Sequence, residues 1–416
     1  MQKNRPEGDV EEGVRKIEWA RAHMKLLESA EEELVRGGQL RGLRISMAMH
    51  VEAKTGCLAI ALQKAGAKVR LAGCNPLSTD NDVALTLESR YGVETHARKG
   101  EAEEEYYENL NRVLDINPHL IIDDGADLIS LVHTERREML EDIIGANEET
   151  TTGVNRLRAM HSDGKLEFPV LAVNDSKMKY LFDNRYGTGQ STLDGFMNAT
   201  NLLLAGRNAV VAGYGWCGRG IASRLKGMGA IVSVTEVDPI KAVEARMDGF
   251  RVGRMRDMIG DADLVITATG CRDVVTYEDM LRAKDGCMLA NAGHFNLEVD
   301  VENLRKKAKS RLVRRYVEEF RLENGKKLYL LADGRLLNLV SGQGHPVEIM
   351  DMSFTVQALG AEYMAVRGKE MDPGVYTVPQ EIDVRIARMK LKVEGIKIDR
   401  LTAEQKAYLS EWKEGT

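Results

Sequence analysis

"NAVVAGYGWCGRG", residues 208–220, decides the fold. Its first residues read as a short buried strand, and the stretch from Cys217 to about Met228 has helical spacing. Between them, Gly213, Gly215 and Gly218 form G-x-G-x-x-G. In such a turn the glycines allow a tight bend, let the backbone approach a pyrophosphate and let the helix pack closely on the strand. The free N–H groups of the helix start then face the anion. The next run, "AIVSVTEVD" (230–238), carries Glu236 near its end, where a carboxylate accepts from a ribose 2′-hydroxyl and repels a 2′-phosphate. A glycine turn without a ligand accounts for the six residues alone, but not for that acid one strand later. NAD is expected in preference to NADP.

Working outward, the same alternation recurs. "ADLVITATG" (262–270) and "GCMLANAG" (286–293) continue it downstream, and "STLDGFMNATNLLLAG" (191–206) reads as a helix. Upstream, "LRISMAM" (43–49), "AKVRLAG" (67–73), "HLIIDDG" (119–125) and "FPVLAVND" (168–175) are apolar runs separated by helical stretches. Strand alternating with helix predicts parallel sheets covered by helices. Residues 14–36 predict one surface helix, and the chain from about 380 onward is charged and helical. "SGQGHP" (341–346), punctuated by glycine and proline, reads as a crossing back to the first sheet.

Composition narrows the function. A chain of 416 residues exceeds one ordinary core. A formal charge of −6 gives no general attraction for phosphate backbones, and 5% aromatic residues argue against a stacking platform, so no nucleic-acid partner is expected. "MQKNRPEGDVEEG" has no apolar leader segment, and no apolar run reaches the length of a membrane span. Cys57, Cys74, Cys217, Cys271 and Cys287 are scattered, without CxxC spacing, and read as reduced thiols of a cytoplasmic protein.

In parallel sheets the chemistry collects beyond the carboxyl ends of the strands. His50, Asp123, Asp124, Asn174 and Asp175 fall at such ends. Lys179 and Asp183 are four apart and share a face if that stretch is helical, although a surface pair of this kind is common and weak. "EETTTG" (148–153) could cap a helix through its hydroxyls, and "IIDDGAD" could merely end a strand. Asp123, Asp124 and Asp127 could gather a divalent ion, but no histidine spacing supports one, and no catalytic metal is expected.

Taken together, "EETTTG", "IDDGADL" (122–128), "AVNDSKMKYLFDNRYG" (172–187), "VVAGYGWCGRG", "NAGHF" (291–295) and "SGQGHP" resemble the S-adenosylhomocysteine hydrolase family, from about residue 45 almost to the end of the chain. The resemblance implies a cytoplasmic NAD enzyme, usually a tetramer, acting on a small nucleoside thioether. It implies an α/β fold of two doubly wound, Rossmann-like parallel-sheet domains with the NAD domain inserted in the substrate domain. The expected limits are 1–188 for the first part of the substrate domain, 189–344 for the NAD domain, 345–385 for the return segment and 386–416 for a C-terminal helical tail. His50, Asp124, Glu149, Lys179, Asp183, Asn184 and His294 match the family's catalytic and substrate-contacting positions. Thr150, Thr151, Thr152, Glu236 and Asn338 match positions that hold NAD, with Thr269 and Asn291 expected beside them. His345 falls at the substrate gate, and Glu52, Lys54 and Thr55 on the purine side.

The chemistry calls for such a set. A thioether carbon is poorly activated, whereas oxidising the 3′-hydroxyl acidifies C4′–H, so that thiol can leave and water can add before re-reduction. One base is needed for the 3′-hydroxyl, another for C4′–H, and acids for sulfur and water. Lys179, its pKa lowered by burial, is expected to take the first proton, with Asp183 and Glu149 gripping the ribose hydroxyls. Asp124 and His50 are expected at C4′ and the 5′ side, assisted by His294.

Three departures from the family stand out. Where most members carry threonine and glutamine or glutamate after the histidine of "HVEAKTGCLAIAL" (50–62), this chain has Glu52 and Lys54. Lysine only donates and ionised glutamate only accepts. Lys54 on O6 with Glu52 on N1–H suits hypoxanthine, while Lys54 on N1 with Glu52 on the amino group suits adenine, so an inosyl substrate stands beside the adenosyl one. Thr188 replaces the usual cysteine, and the end "AYLSEWKEGT" lacks the extended tail that reaches a neighbour's NAD site. A simple NAD dehydrogenase and a non-catalytic NAD-binding regulator are the rival readings; neither needs the acid–base set outside the nucleotide domain.

Overall fold

In the computed structural model, residues 8–412 are described; the first seven and last four residues, which end two of the stretches quoted above, lie outside them. In chain order the strands of the described residues are Arg44–Met49 (β1), Lys68–Gly73 (β2), Glu94–His96 (β3), Leu120–Asp123 (β4), Gly145–Glu148 (β5), Pro169–Ala172 (β6), Asn208–Ala212 (β7), Ile231–Thr235 (β8), Arg251–Val252 (β9), Leu264–Thr267 (β10), Cys287–Asn291 (β11), Lys309–Arg314 (β12), Val317–Arg321 (β13), Lys327–Leu331 (β14) and Gly374–Thr377 (β15). They form two sheets, ordered β15-β6-β5-β4-β1-β2-β3 and β12-β13-β14-β11-β10-β7-β8-β9.

The first sheet is parallel throughout; in the second only the pairs made by β13 are antiparallel. Short runs such as "LIID" and "LVIT" are buried at every position because helices cover both faces. Alternate residues feed opposite cores: Leu120 and Ile122 pack on one side of β4, Ile121 on the other. Both sheets reverse strand order, at β1/β4 and at β7/β10, and crevices open beyond the carboxyl ends at such switch points. The chain leaves the first sheet after β6, builds the second from β7 to β14, and rejoins the first at β15.

Several elements differ from the expectations. Instead of one surface helix over 14–36 there are two, Val10–His23 and Lys25–Gly37, broken at Met24. The second begins there because the Asp351 carboxylate accepts from Leu26 N and Leu27 N. Ile17, Met24, Leu26 and Leu34 are buried, so the pair is a covering layer of the first core. The helix expected over 191–206 runs Thr188–Thr200 and stops at Asn201, which takes the left-handed conformation that ends helices. Residue 385 falls inside the helix Gln380–Val393, whose Asp383 accepts from Ser176 Oγ and from the N–H groups of Lys177 and Met178. No helix of the described residues is long and apolar enough to cross a membrane.

Candidate active site

The two crevices open into one cavity of about 1080 Å³. From the first sheet, His50 follows β1, Asp124 follows β4, and Glu149 follows β5. Lys179 lies in the short helix Lys177–Tyr180, and Asp183 and Asn184 begin the wide turn Asp183–Gly187. From the second sheet's side come His294, after β11, and His345, on the return crossing. All eight residues line the cavity.

Lys179 lies at the centre of one cluster. Its Nζ is 3.3 Å from Asp183 Oδ1 and 3.4 Å from Glu149 Oε1, and donates to Asn184 Oδ1 at 3.0 Å. Asp183 is held in turn by Ser353 Oγ at 2.8 Å and lies 3.3 Å from His345 Nδ1, while Gln357 Nε2 donates to Glu149 at 2.6 Å. The surroundings correct the expected downward shift of Lys179. Burial pulls its pKa down, but Asp183, Glu149 and Asp124 outweigh it and hold the ammonium above the usual lysine range. Burial also works against Asp183 ionisation, yet Lys179 and His345 keep that carboxyl well below its ordinary value. Glu149 goes the other way, pushed up to about 8 mainly by burial. The cluster therefore holds one firm ion pair and one proton-bearing carboxyl.

Asp124 organises the second cluster. His50 Nε2 is 3.5 Å from Asp124 Oδ2, His294 Nδ1 is 3.9 Å from Oδ1, and Cys74 Sγ is 3.7 Å from Oδ2. Ser78 Oγ sits 2.7 Å from His50 Nδ1. Burial pushes His50 down to about 4, so near neutrality it is an uncharged imidazole able to accept or relay a proton. His50, Asp124 and His294 present ligand atoms within 4.8 Å of one another, a set able to hold a metal ion. The acids considered from sequence are engaged elsewhere: Asp123 accepts from Asp124 N and Ile129 N, and Asp127 from Tyr106 and Arg156.

The dinucleotide turn is built differently. A methyl group at Gly218 would overlap the Gly213 carbonyl oxygen, and one at Gly213 would come within 2.7 Å of Ala268 O, whereas Gly215 faces open space. Gly213 and Gly215 line the cavity; Gly218 instead allows the close packing. Glu236 accepts from Tyr214 N at 2.6 Å and from Val237 N at 2.7 Å, which fixes its carboxylate at the end of β8. Thr150, Thr151, Thr152 and Asn338 line the same cavity. Thr152 Oγ1 and Asn338 Oδ1 are buried with no hydrogen-bond partner among the described residues, which fits a polar ligand lying between them. Thr151 Oγ1 is engaged by Asn174, and the Thr269 hydroxyl by Glu298, although Thr269 still borders the cavity.

Asn291 is fully buried, lies outside the cavity lining, and uses its amide on Gly293 O, Phe295 O and Gly334 O while accepting from Gly293 N. It braces the loop that carries His294.

At another wall of the cavity, Glu52 caps the helix Ala53–Lys64 by accepting from Lys54 N and Thr55 N. Lys54 Nζ lies 3.1 Å from Glu52 Oε2 and donates to Gln343 O at 3.0 Å, which ties this helix to the return crossing. Glu52, Lys54 and Thr55 all line the cavity. Thr188 links Cys217 Sγ, at 3.6 Å, to His345 Nε2, at 3.2 Å.

Sequence reasoning missed Ser353 and Gln357, although they lie four apart on the apolar helix Val347–Arg367, a spacing that puts both on one face. It also missed Trp216, whose ring lies tilted with its centroid 5.2 Å from that of Tyr180, beside Lys179, and with the Arg219 guanidinium 4.7 Å from the Trp216 ring centroid.

Two sequence profiles match the chain: S-adenosyl-L-homocysteine hydrolase over residues 8–142, and S-adenosyl-L-homocysteine hydrolase, NAD binding domain, over residues 184–344. An adenosylhomocysteinase of Thermoplasma acidophilum is 56% identical over 97% of this chain and 99% of its own. An S-inosyl-L-homocysteine hydrolase of Methanopyrus kandleri is 55% identical over 96% of this chain and 95% of its own. An adenosylhomocysteinase of Thermotoga maritima is 56% identical over 96% of this chain and 99% of its own.

Proposed function

The chain belongs to the S-adenosyl-L-homocysteine hydrolase family, and from that premise we propose that it is an NAD-dependent thioether hydrolase, converting S-adenosyl-L-homocysteine reversibly to adenosine and L-homocysteine. The observation that carries this reading is the sharing of one cavity by the dinucleotide turn and two separate proton-handling clusters. A simple dehydrogenase has no use for the second cluster.

The residues present fit NAD. The turn at Gly213–Gly218 and the helix start behind it suit a pyrophosphate, Glu236 a ribose diol, and Thr152 and Asn338 the nicotinamide side. The chemistry supplied by bound NAD is reversible removal of a hydride from the 3′ carbon of the sugar.

Asp183 and Glu149 grip the ribose hydroxyls. As they turn to the sugar they loosen their hold on Lys179, the ammonium releases its proton to water, and the neutral Nζ amine then takes the 3′-hydroxyl proton. Asn184 keeps Nζ aimed through its Oδ1. Asp124 removes the C4′ proton, flanked by His50 and His294, and the neutral His50 imidazole passes protons on the 5′ side as thiol leaves and water enters. His345 closes the far wall, fixed between Asp183 and Thr188.

A second reading, S-inosyl-L-homocysteine as the preferred substrate, fits Lys54 as well: two of its donors are engaged by Glu52 and Gln343, and a third remains for the O6 carbonyl of hypoxanthine or, equally, for N1 of adenine. The working form is a cytoplasmic homotetramer in this reading, supported by its five unpaired cysteines and by the outward-facing Leu409 and Trp412 of the terminal segment. The test incubates purified protein with each thioether and follows free thiol. Release from at least one, abolished when NAD is stripped and restored when it is returned, is the expected result; equal release without NAD overturns the mechanism.

A further inference from the structure

Two carboxyl groups behind the cavity take no part in the steps above. Glu148, the last residue of β5, points away from the cavity that its neighbour Glu149 lines, and is fully buried. Its Oε1 accepts from Gly125 N and Thr150 N, both at 2.9 Å, and its Oε2 from Ala126 N at 3.0 Å. No lysine, arginine or histidine pairs with it among the described residues. Burial and the neighbouring Asp123 and Asp124 push its pKa up, while the backbone donors resist.

The peptide it grips is an unusual one. Gly125 has φ of 115° and Ala126 φ of 62°, a left-handed turn that a non-glycine residue adopts only when held there. That turn directly follows Asp124, and a side chain at Gly125 would come within 2.8 Å of His294 Nε2. Asp123 fixes the other end by accepting from Asp124 N at 3.0 Å. Gly153 makes room for the arrangement, since a methyl group there would overlap the Glu148 carboxylate.

We propose that Glu148 is a positioning residue for Asp124: by clamping the N–H groups of Gly125 and Ala126 it sets the aim of the C4′ base without touching substrate. This inference rests on the role given to Asp124 above. It separates Glu148 from Lys179, because the clamp reaches the turn behind Asp124 and not the segment that carries Lys179.

The test is Glu148→Gln in the NAD-loaded enzyme. The amide oxygen can keep the Gly125 and Thr150 donors, but its NH2 group then meets the Ala126 N–H donor against donor. The expected result is that 3′ oxidation, read as reduced-nicotinamide absorbance on adding substrate, stays within about threefold of wild type, while solvent-deuterium exchange at C4′ and thiol release fall about 100-fold. Glu148→Asp, which keeps the acceptor oxygens on a shorter arm, should lose only about tenfold in exchange and leave oxidation intact. Equal slowing of oxidation and exchange in either variant, or loss that tracks lost NAD, overturns the proposal. Wild-type protein that releases thiol normally localises such a failure to Glu148; wild type that releases none from either thioether overturns the hydrolase reading itself, and this inference with it.

Discussion

Between Gly213 and Gly218 one short stretch turns beside the cavity without burying a charge, and at Gly213 and Gly218 the requirement is that side chains be missing. Around Lys179 and Asp124 the opposite holds. Buried titratable side chains converge from the ends of β1, β4 and β5 and from the wide turn at Asp183, with Ser353 reaching in from the helix Val347–Arg367, each tolerable only because another lies within about 3–4 Å. A backbone site fails when atoms are added. A charge cluster fails when any one member is removed.

The sharpest way to break that contrast is Lys179→Ala. Thiol release should fall about 10³–10⁴-fold while the purified protein still carries its full complement of NAD. Loss of bound NAD instead would mean that the two regions are not separable. Next in size is Gly218→Val, which drives a side chain into the Gly213 carbonyl. Released NAD should appear on purification and thiol release drop about 100-fold, with a partial return at high added NAD because the acid–base groups are untouched. Lys54→Met probes the purine end alone. It should change the ratio of kcat/KM for the adenosyl and inosyl thioethers about tenfold or more, with NAD content unaltered.

The smallest expected effect is on stability. Glu149 carries a folded-state pKa raised from an ordinary 4.5 to about 8, so the folded chain keeps a proton that the unfolded chain has released. Its contribution is complete below about pH 4.5, erodes as pH rises and is gone above about 8. Ligand-free wild type should therefore lose a few degrees more of Tm across that window than Glu149→Gln does, at about 1 °C per kcal/mol for a chain of 416 residues. Parallel melting curves would show that Glu149 is already ionised in the fold.

The same contrast explains what could be read in advance. The turn at Gly213 and its acid on β8 are local, so spacing alone exposed them. β5 was not visible because "GANE" has no apolar signature; Asn147 is buried by donating to Gln357, and Glu148 by three peptide donors, neither of which a run of letters shows. β15 was missed since four residues, "GVYT", pair with a strand far back in the chain. The residues near Lys179 were identified, but its protonation was read in the wrong direction, because burial is a property of one residue and the net charge around it is a property of three segments. Asn291 has the same difficulty: an asparagine at a strand end looks the same whether it faces a ligand or, as its bonds to Gly293, Phe295 and Gly334 show, ties down its own loop.

Thr188 and His345 lie on the outgoing and returning crossings and touch through one hydrogen bond of 3.2 Å. Everything from β7 to β14 is thus suspended from the first sheet by two strings knotted at the same point, as a pendant is. Such a guest can be accommodated without stretching its host, because its two ends are already side by side. The same junction carries His345, whose ring lies 3.3 Å from Asp183, so the seam between host and guest is also a wall of the cavity.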